Sequence, residues 1–367
     1  MADPAPPRRR PRQRAGGPVT LDDVAREAGV SLATASRVLN GSTRVVGEAL
    51  RERVTAAAER LDYSANAQAQ AMARGRSNVV GLVVHDIADP YFSTIAAGVM
   101  ARAAGSDVIV TLAVTGGDPW REVQHVAALR RQRVRAVLLA GSRWQDGAST
   151  SALRAELEAF RSGGGRVAAV TQDVLGVDTV LVDNRGAAGR LAAALVDAGY
   201  REFWLLPGPQ ELSTAAERTA GFRAGLQARG LVPQAVLDSS FTRDGAYAAL
   251  ARALREGPPP RTGGRRPVVL AANDVMAVGA MAAARDAGLR VPEDLAVAGF
   301  DDIPTLRDIA PALTTVRLPL ADIGAAAFDL VESAEDGRVR HRHVDSEVLL
   351  RASTPAQPPG AEAEASA

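Results

Sequence analysis

Residues 20 to 62, TLDDVAREAGVSLATASRVLNGSTRVVGEALRERVTAAAERLD, constrain this chain more than any other stretch. Leu21, Val24, Ala25 and Ala28 recur at the spacing of one buried helical face, and Thr20 with Asp23 three residues on forms a capping box. Gly29 ends this helix, Val30 anchors a tight turn, and Ser31 caps a second helix running to about Leu39, with Ala35, Val38 and Leu39 inward. Leu50, Val54, Ala57, Ala58 and Leu61 supply the apolar stripe of a third helix. Three such faces close one miniature core, the layout of a helix-turn-helix. In that motif the second helix enters the major groove, which here presents Ser31, Leu32, Ala33, Thr34, Ser36 and Arg37. Arg37 suits a bidentate pair to guanine, and Leu32 and Ala33 suit a thymine methyl. The hydroxyls, Asn40 and Thr20 are placed for the phosphate backbone. Three amphipathic helices also occur in small domains that never touch nucleic acid, so the rest of the chain must decide.

From Val79 onward, apolar runs alternate with helical segments, the signature of parallel sheets with helices on both faces. Strands are predicted at 79–84, 108–112, 136–140, 167–170, 180–182, 203–206, 268–271 and 295–298, with helices centred near Val99, Val126, Leu157, Leu191, Gly221, Leu250, Met281 and Phe328. Ligands of such sheets bind beyond the carboxyl ends of the strands. The residues just past the runs are polar: His85, Asp86, Asp89, Tyr91 and Phe92 after the first, and Arg218, Asn273, Asp274, Asp301 and Asp302 after later ones. Asp274 and Asp302 read more naturally as braces of neighbouring helices, and Phe92 as the start of a core helix.

A chain of 367 residues is too long for one ordinary domain, and it contains no cysteine, which excludes disulfides and thiolate metal sites. Residues 1–76 hold 13 Arg against 8 acidic residues, whereas residues 77–367 hold 30 against 34, so the basic end carries the nucleic-acid footprint. All 43 basic residues are Arg, and phosphate contacts must use guanidinium groups. The first 18 residues, with five Arg and no apolar segment, read as a disordered basic arm rather than a secretory signal. The tail from Pro355 lacks leucine heptads, and no apolar run approaches the ~20 residues of a membrane span. There is no nucleophile elbow, phosphate loop or paired-histidine metal motif, and His341 and His343 alone make no metal site. Catalysis, a cofactor and a metal are therefore not expected.

The motifs together resemble the lac/gal repressor family of bacterial transcription regulators over about residues 19 to 354. They are VTLDDVAREAGVSLATASRVLNG, NAQAQAMARGRS, VDNRGAAGRLAAALVDAGY, ERTAGFRAGL, AANDVMAVGAMAAARDAGLRVPEDLAVAGFDDI and LTTVRLPLADIG. The resemblance implies an α/β two-lobed periplasmic-binding-protein-like domain, parallel sheets flanked by helices, behind a small all-α N-terminal helix-turn-helix domain. The implied organisation is an arm (1–18), the DNA-binding domain (19–64), a hinge helix and linker (65–77), an effector and dimerisation domain (78–354) and a tail (355–367). Lobe one is expected at 78–183 and 318–345, and lobe two at 184–317 and 346–354. Members grip an effector between the lobes, which implies binding roles first for Arg218 and Asp301, then Asn273, and then for Asp89, Tyr91, Phe92 and Thr171. Where relatives commonly place Asp-Arg, this chain has Thr171-Gln172, so the hydroxyl-binding carboxylate is absent or displaced to Asp173.

The same resemblance implies that Asn66 to Arg74 forms a short helix only when paired in the DNA minor groove, with Asn66 and Ala69 at the DNA and Met72 as the wedge between central base pairs. Between helices two and three, STRVVG runs one residue longer than usual and puts Gly47 at a customary Ser cap. The expected function is a cytoplasmic homodimeric repressor of a palindromic operator in double-stranded DNA. A small-molecule effector, a sugar, related polyhydroxy compound or nucleoside, would control it. The alternatives are an effector-independent DNA-binding regulator with a degenerate pocket and, behind it, a solute-binding protein.

Overall fold

The structure, a computed structural model, describes residues 19–40, 46–63, 77–257, 259–261, 264–333 and 338–357. The chain forms two compact units, Met1–Ser77 and Asn78–Ala367. The expected arm, most of the loop before the third helix, and the hinge residues Asn66, Ala69 and Met72 lie outside the described residues.

In the first unit α1 (Leu21–Ala28), α2 (Leu32–Asn40) and α3 (Glu48–Arg60) enclose Val24, Ala25, Ala35, Val54 and Ala57, with Val38, Leu39 and Leu61 at the margin. The capping box is formed: Thr20 Oγ1 accepts the Asp23 N–H, and Asp23 Oδ2 accepts the Thr20 N–H at 3.0 Å. Gly29 leaves α1 at φ 65°, a left-handed cap that glycine adopts without penalty. Arg53 of α3 donates to the Ala28 carbonyl, supplying a partner for the last turn of α1 and tying the two helices together. Gly47 precedes α3 without a side-chain cap. Leu50 corrects the expected stripe, because it is 38% exposed. Leu50 lies one turn before Val54, the first residue of α3 that packs into the core among the described residues.

The second unit holds two parallel sheets. The first has the order β11-β5-β4-β3-β1-β2, built from β1 (Val79–Val84), β2 (Ile109–Val114), β3 (Ala136–Ala140), β4 (Arg166–Thr171), β5 (Asp178–Val182) and β11 (His341–Val344). Its residues alternate as a pleat requires. Val80, Leu82 and Val84 pack with Ile95 and Val99 of α4 (Pro90–Ala103) and Phe328 of α11 (Leu320–Glu332). Val83, Val137 and Leu139 turn to the other face, under α5 (Pro119–Arg131) and α6 (Gly147–Ser162). The second sheet, β7-β6-β8-β9, contains β6 (Phe203–Leu206), β7 (Ala235–Val236), β8 (Val268–Ala271) and β9 (Ala296–Ala298). Its helices are α7 (Asn184–Asp197), α8 (Ser213–Gln227), α9 (Arg243–Glu256) and α10 (Asp274–Asp286).

The chain passes between the sheets after β5, at β10 (Thr315–Arg317) and before β12 (Glu347–Leu349), and the last two strands pair antiparallel. Arg190 ties two of these passages together, donating to Asp183 at 3.2 Å and to Ser346 Oγ at 2.8 Å. β2 starts one residue later and ends two residues later than the apolar run suggested. Residues 355–357, expected in the tail, belong to the second unit. Tyr200 Oη donates to the Pro355 carbonyl at 3.0 Å, and Gln357 exchanges hydrogen bonds with the Arg266 backbone.

Helices α4 and α11 meet through glycines: a Cβ on Gly98 would lie 2.0 Å from the Ala321 carbonyl oxygen, and one on Gly324 equally close to that of Ile95. Gly98→Ala is therefore expected to lower stability by roughly 1–3 kcal/mol through overpacking. Urea titration followed by tryptophan fluorescence reads this directly, since all three Trp residues, 120, 144 and 204, belong to the second unit.

Candidate functional site

In the first unit α2 shows one polar face. Ser31, Leu32, Ala33 and Arg37 are exposed, Thr34 and Ser36 half-buried, and Ala35 fully buried beneath them. Ser31 Oγ accepts the Thr34 N–H at 3.1 Å and lies 2.8 Å from the Thr34 hydroxyl, so these two side chains first fix the start of the helix. The Thr20 hydroxyl is likewise held by Asp23, at 2.7 Å. Arg37 forms no ion pair among the described residues, which leaves its guanidinium free for a ligand. Asn40 is the last residue of α2 rather than the first beyond it.

In the second unit the centre is Arg218, on α8 and 2% exposed. Its Nε donates to Asn184 Oδ1 at 2.9 Å, Nη1 to the Ala272 carbonyl at 2.8 Å, and Nη2 to Asp301 Oδ1 at 2.7 Å. Phe300 lies under the guanidinium, 3.9 Å from ring centroid to Cζ. Burial pushes the Asp301 carboxyl up to about 8, against the opposing pull of Arg218 and with help from Asp274 and Asp89. Asp301 has φ 120° and Thr171 φ 109°, strained backbone at the mouths of two strands. Tyr91 belongs to the same neighbourhood: burial raises its phenol, Asp301 adds to the rise, and Arg218 and Thr171 oppose it. Asp89 caps α4 by accepting the Tyr91 N–H at 2.9 Å, and burial raises its carboxyl too.

Asp89, Tyr91, Thr171, Arg218 and Asp301 are thus brought together. Phe92 packs edge-on to Tyr91, with centroids 5.0 Å apart, and lies at a tilt to His85, with centroids 5.6 Å apart. Burial, aided by Arg143, pulls the His85 imidazole down to about 4, so it is neutral. Asn273 mainly caps α10, its Oδ1 accepting the Met276 N–H at 2.9 Å. Asp274 and Asp302 act as braces. Asp274 accepts from Thr315 Oγ1 and the Ile303 N–H, and Asp302 from Arg317 and Arg351. Asp173 is taken by His341, at 3.0 Å, instead of joining the cluster.

Sequence reasoning missed the residues that orient Arg218. Gln172 Nε2 donates to Thr214 Oγ1 at 3.0 Å and to Glu217 Oε2 at 3.2 Å, and the same Glu217 oxygen accepts from Asn184 Nδ2 at 2.9 Å. A hydrogen-bonded chain therefore runs from β4 of one sheet to the guanidinium of the other. Beside it the two bodies are stitched by backbone: Gln145 N–H to Glu211 O, Ser213 N–H to Arg143 O, and Thr214 N–H to Ser142 Oγ, around a Trp144–Leu212 bridge. Arg143 is itself anchored by buried Glu122.

The profile of bacterial regulatory proteins of the lacI family matches residues 20–66, and that of the periplasmic binding protein-like domain matches residues 192–354. The ribose operon repressor of Haemophilus influenzae is 31% identical, over 84% of this chain and 90% of its own length. The HTH-type transcriptional repressor CytR of Escherichia coli is also 31% identical, over 92% and 97%. Among solved structures, the lac repressor dimer bound to operator and an anti-inducer superposes with a TM-score of 0.76 at 27% identity, covering 93% of this chain and all of that one. No helix among the described residues is long and apolar enough to cross a membrane. The DNA-reading head, the two-sheet body and these relatives lead to one conclusion: the chain belongs to the lacI family of bacterial regulatory proteins and is a DNA-binding transcriptional repressor.

Proposed function

We propose that the protein binds a near-palindromic operator as a homodimer and that a small effector held between the two sheets sets its affinity for DNA. The exposed face of α2 reads bases through Arg37, and the connectors carrying Asn66, Ala69 and Met72 open the minor groove at the centre. The two sheets act as the lobes of a clamp, and no catalytic step is assigned to it. The observation that carries the effector half of this reading is Arg218, a fully buried guanidinium on one sheet's helix, linked through Asn184, Glu217 and Gln172 to the end of a strand in the other. Asp301 is bonded to that one cation, Glu217 to its partner Asn184, and Asp89 stands in the same neighbourhood. Gln172 Oε1 is buried and meets no donor among the described residues. A buried acceptor without a donor, beside these acidic side chains, favours an uncharged, donor-bearing effector such as a polyol or nucleoside over a phosphorylated one. Ribose in the name of one relative agrees with that chemistry.

Three outcomes test this proposal. Arg37→Ala should weaken binding to a selected inverted-repeat duplex by about tenfold to a hundredfold and relax the preference at one base pair, measured by mobility shift at fixed salt. Loss of affinity that is uniform across sequences would demote Arg37 to a phosphate contact.

Thermal melts against ribose, other polyols and nucleosides should find a compound that stabilises the full chain in proportion to its concentration. Arg218→Lys, which keeps the charge but lacks the fork, should weaken that response about tenfold or more while leaving α2 able to bind DNA. A chain that binds operator but responds to nothing in such panels would be an effector-independent repressor.

The third outcome concerns pH. The Asp301 carboxyl holds its proton to about 8 in the folded chain but to only 3.8 at its ordinary value, so the folded state binds the extra proton between these limits. Stability must then fall as pH rises through that window. Asp274, raised to about 6, contributes with the same sign at the lower end. Asp301→Asn cannot ionise, and should flatten the melting-temperature profile chiefly between pH 6 and 8. A profile that keeps its slope there shows that another group titrates.

A further inference from the structure

Of helices α7 to α10, on the second sheet, three carry their own N-terminal cap. Asp183 accepts the Gly186 N–H for α7 at 2.8 Å, Thr242 the Gly245 N–H for α9 at 3.1 Å, and Asn273 the Met276 N–H for α10 at 2.9 Å. Helix α8 instead begins after Leu212, a buried apolar residue that offers it no side-chain acceptor. The first amides of a helix have no partner within it and must find one elsewhere.

For α8 that partner belongs to the other sheet. The Ser213 N–H donates to the Arg143 carbonyl at 2.8 Å and the Thr214 N–H to Ser142 Oγ at 2.9 Å, while the Gln145 N–H returns a bond to the Glu211 carbonyl at 2.7 Å. Trp144 and Leu212 thereby pair antiparallel, joining the segment after β3 to the segment after β6. Neither segment is one of the passages in which the chain crosses between the sheets, so chain connectivity does not impose their contact. The first-sheet side is firmly mounted. Arg143, 7% exposed, pairs with Glu122 and donates to the Gly141 carbonyl at 2.9 Å, and Trp144 Nε1 donates to the Gly117 carbonyl at 2.8 Å. On the other side, Thr214 Oγ1 accepts from Gln172 at the end of β4.

We propose that segment 142–145 is a latch: it caps α8 from the facing sheet, so that the clamp rests closed with no solute bound, and opening uncaps the helix that carries Glu217 and Arg218. Closure supplies the amides of α8 with acceptors that its own sequence lacks, and opening returns them to water. Two of the three bonds are main chain to main chain, so the latch is independent of which solute the clamp takes and of its taking one at all.

The chain has no cysteine, so Ala155→Cys on α6 and Ala224→Cys on α8, both exposed, accept spin labels at those two places alone. Both helices start at the seam, and parting it moves them away from each other. Double electron–electron resonance on the labelled full chain, mixed with excess unlabelled chain and free of DNA and solute, should give a single distance. Ser213→Pro removes one donor and directs a ring carbon at the Arg143 carbonyl. Proline suits the first position of a helix, and Leu212 before it is already extended, at φ −87° and ψ 114°. This variant should populate a second, longer distance and speed hydrogen exchange of segment 142–146 about tenfold. Ser142→Ala leaves the backbone intact and should act in the same direction by about fivefold, which decides the matter should the proline variant not fold. Thr242→Ala, which uncaps α9 within its own lobe, should leave the distance unchanged. The latch is overturned if the unsubstituted chain already populates the longer distance, if Ser142→Ala changes neither the distance nor the exchange, or if Thr242→Ala opens the clamp as far as the seam variants do.

Discussion

A guanidinium removed from water must have its donors met, and Arg218 recruits its partners from three places far apart in the chain. Asn184 begins α7, Ala272 ends the strand segment after β8, and Asp301 follows β9. Each partner stands at the carboxyl end of a strand or the first turn of the helix that follows, so satisfying one side chain fixes how three loops converge. Phe300 completes the arrangement from below, where its ring face offsets part of the cost of burying the charge. The strained backbone at Asp301 persists because its side chain and its amide, bonded to the Val316 carbonyl at 2.8 Å, are both tied down.

The long elements were legible because their patterns are periodic over many residues. β1 and β3 match their apolar runs end to end, and α1 carries its start signal, Thr20 with Asp23, and its stop signal, Gly29, in the sequence itself. β7, β10 and β12 were not legible: two or three residues carry no period, and they form only because a neighbour presents a free edge. β11 reads HRHV, polar and mostly exposed, and exists through its pairing with β5.

At the candidate site, residue types were easier to read than their company. Arg218 and Asp301 stand out as charges next to apolar strands, but they are 83 positions apart, and only the fold shows that they touch. Gln172 looked like a departure, a neutral residue where relatives carry charge. In the structure it is the tie that joins β4 to Thr214 and Glu217. Asn273 has a commitment that its sequence position did not show, its Oδ1 capping the N-terminus of α10. Leu50 shows a different limit: helical spacing says which face a residue occupies, not whether a neighbour covers it.

The backbone stitching between segments 142–145 and 211–214 bears on timing as much as on shape. Those bonds join the same two bodies that Gln172 links to Arg218, so any parting of the two sheets at this edge must break them first. Were the effector proposed above to enter by that parting, its capture would be gated: at high solute concentration the observed rate would level off at the frequency with which the seam breathes, and response time would be set by the architecture rather than by the abundance of the signal.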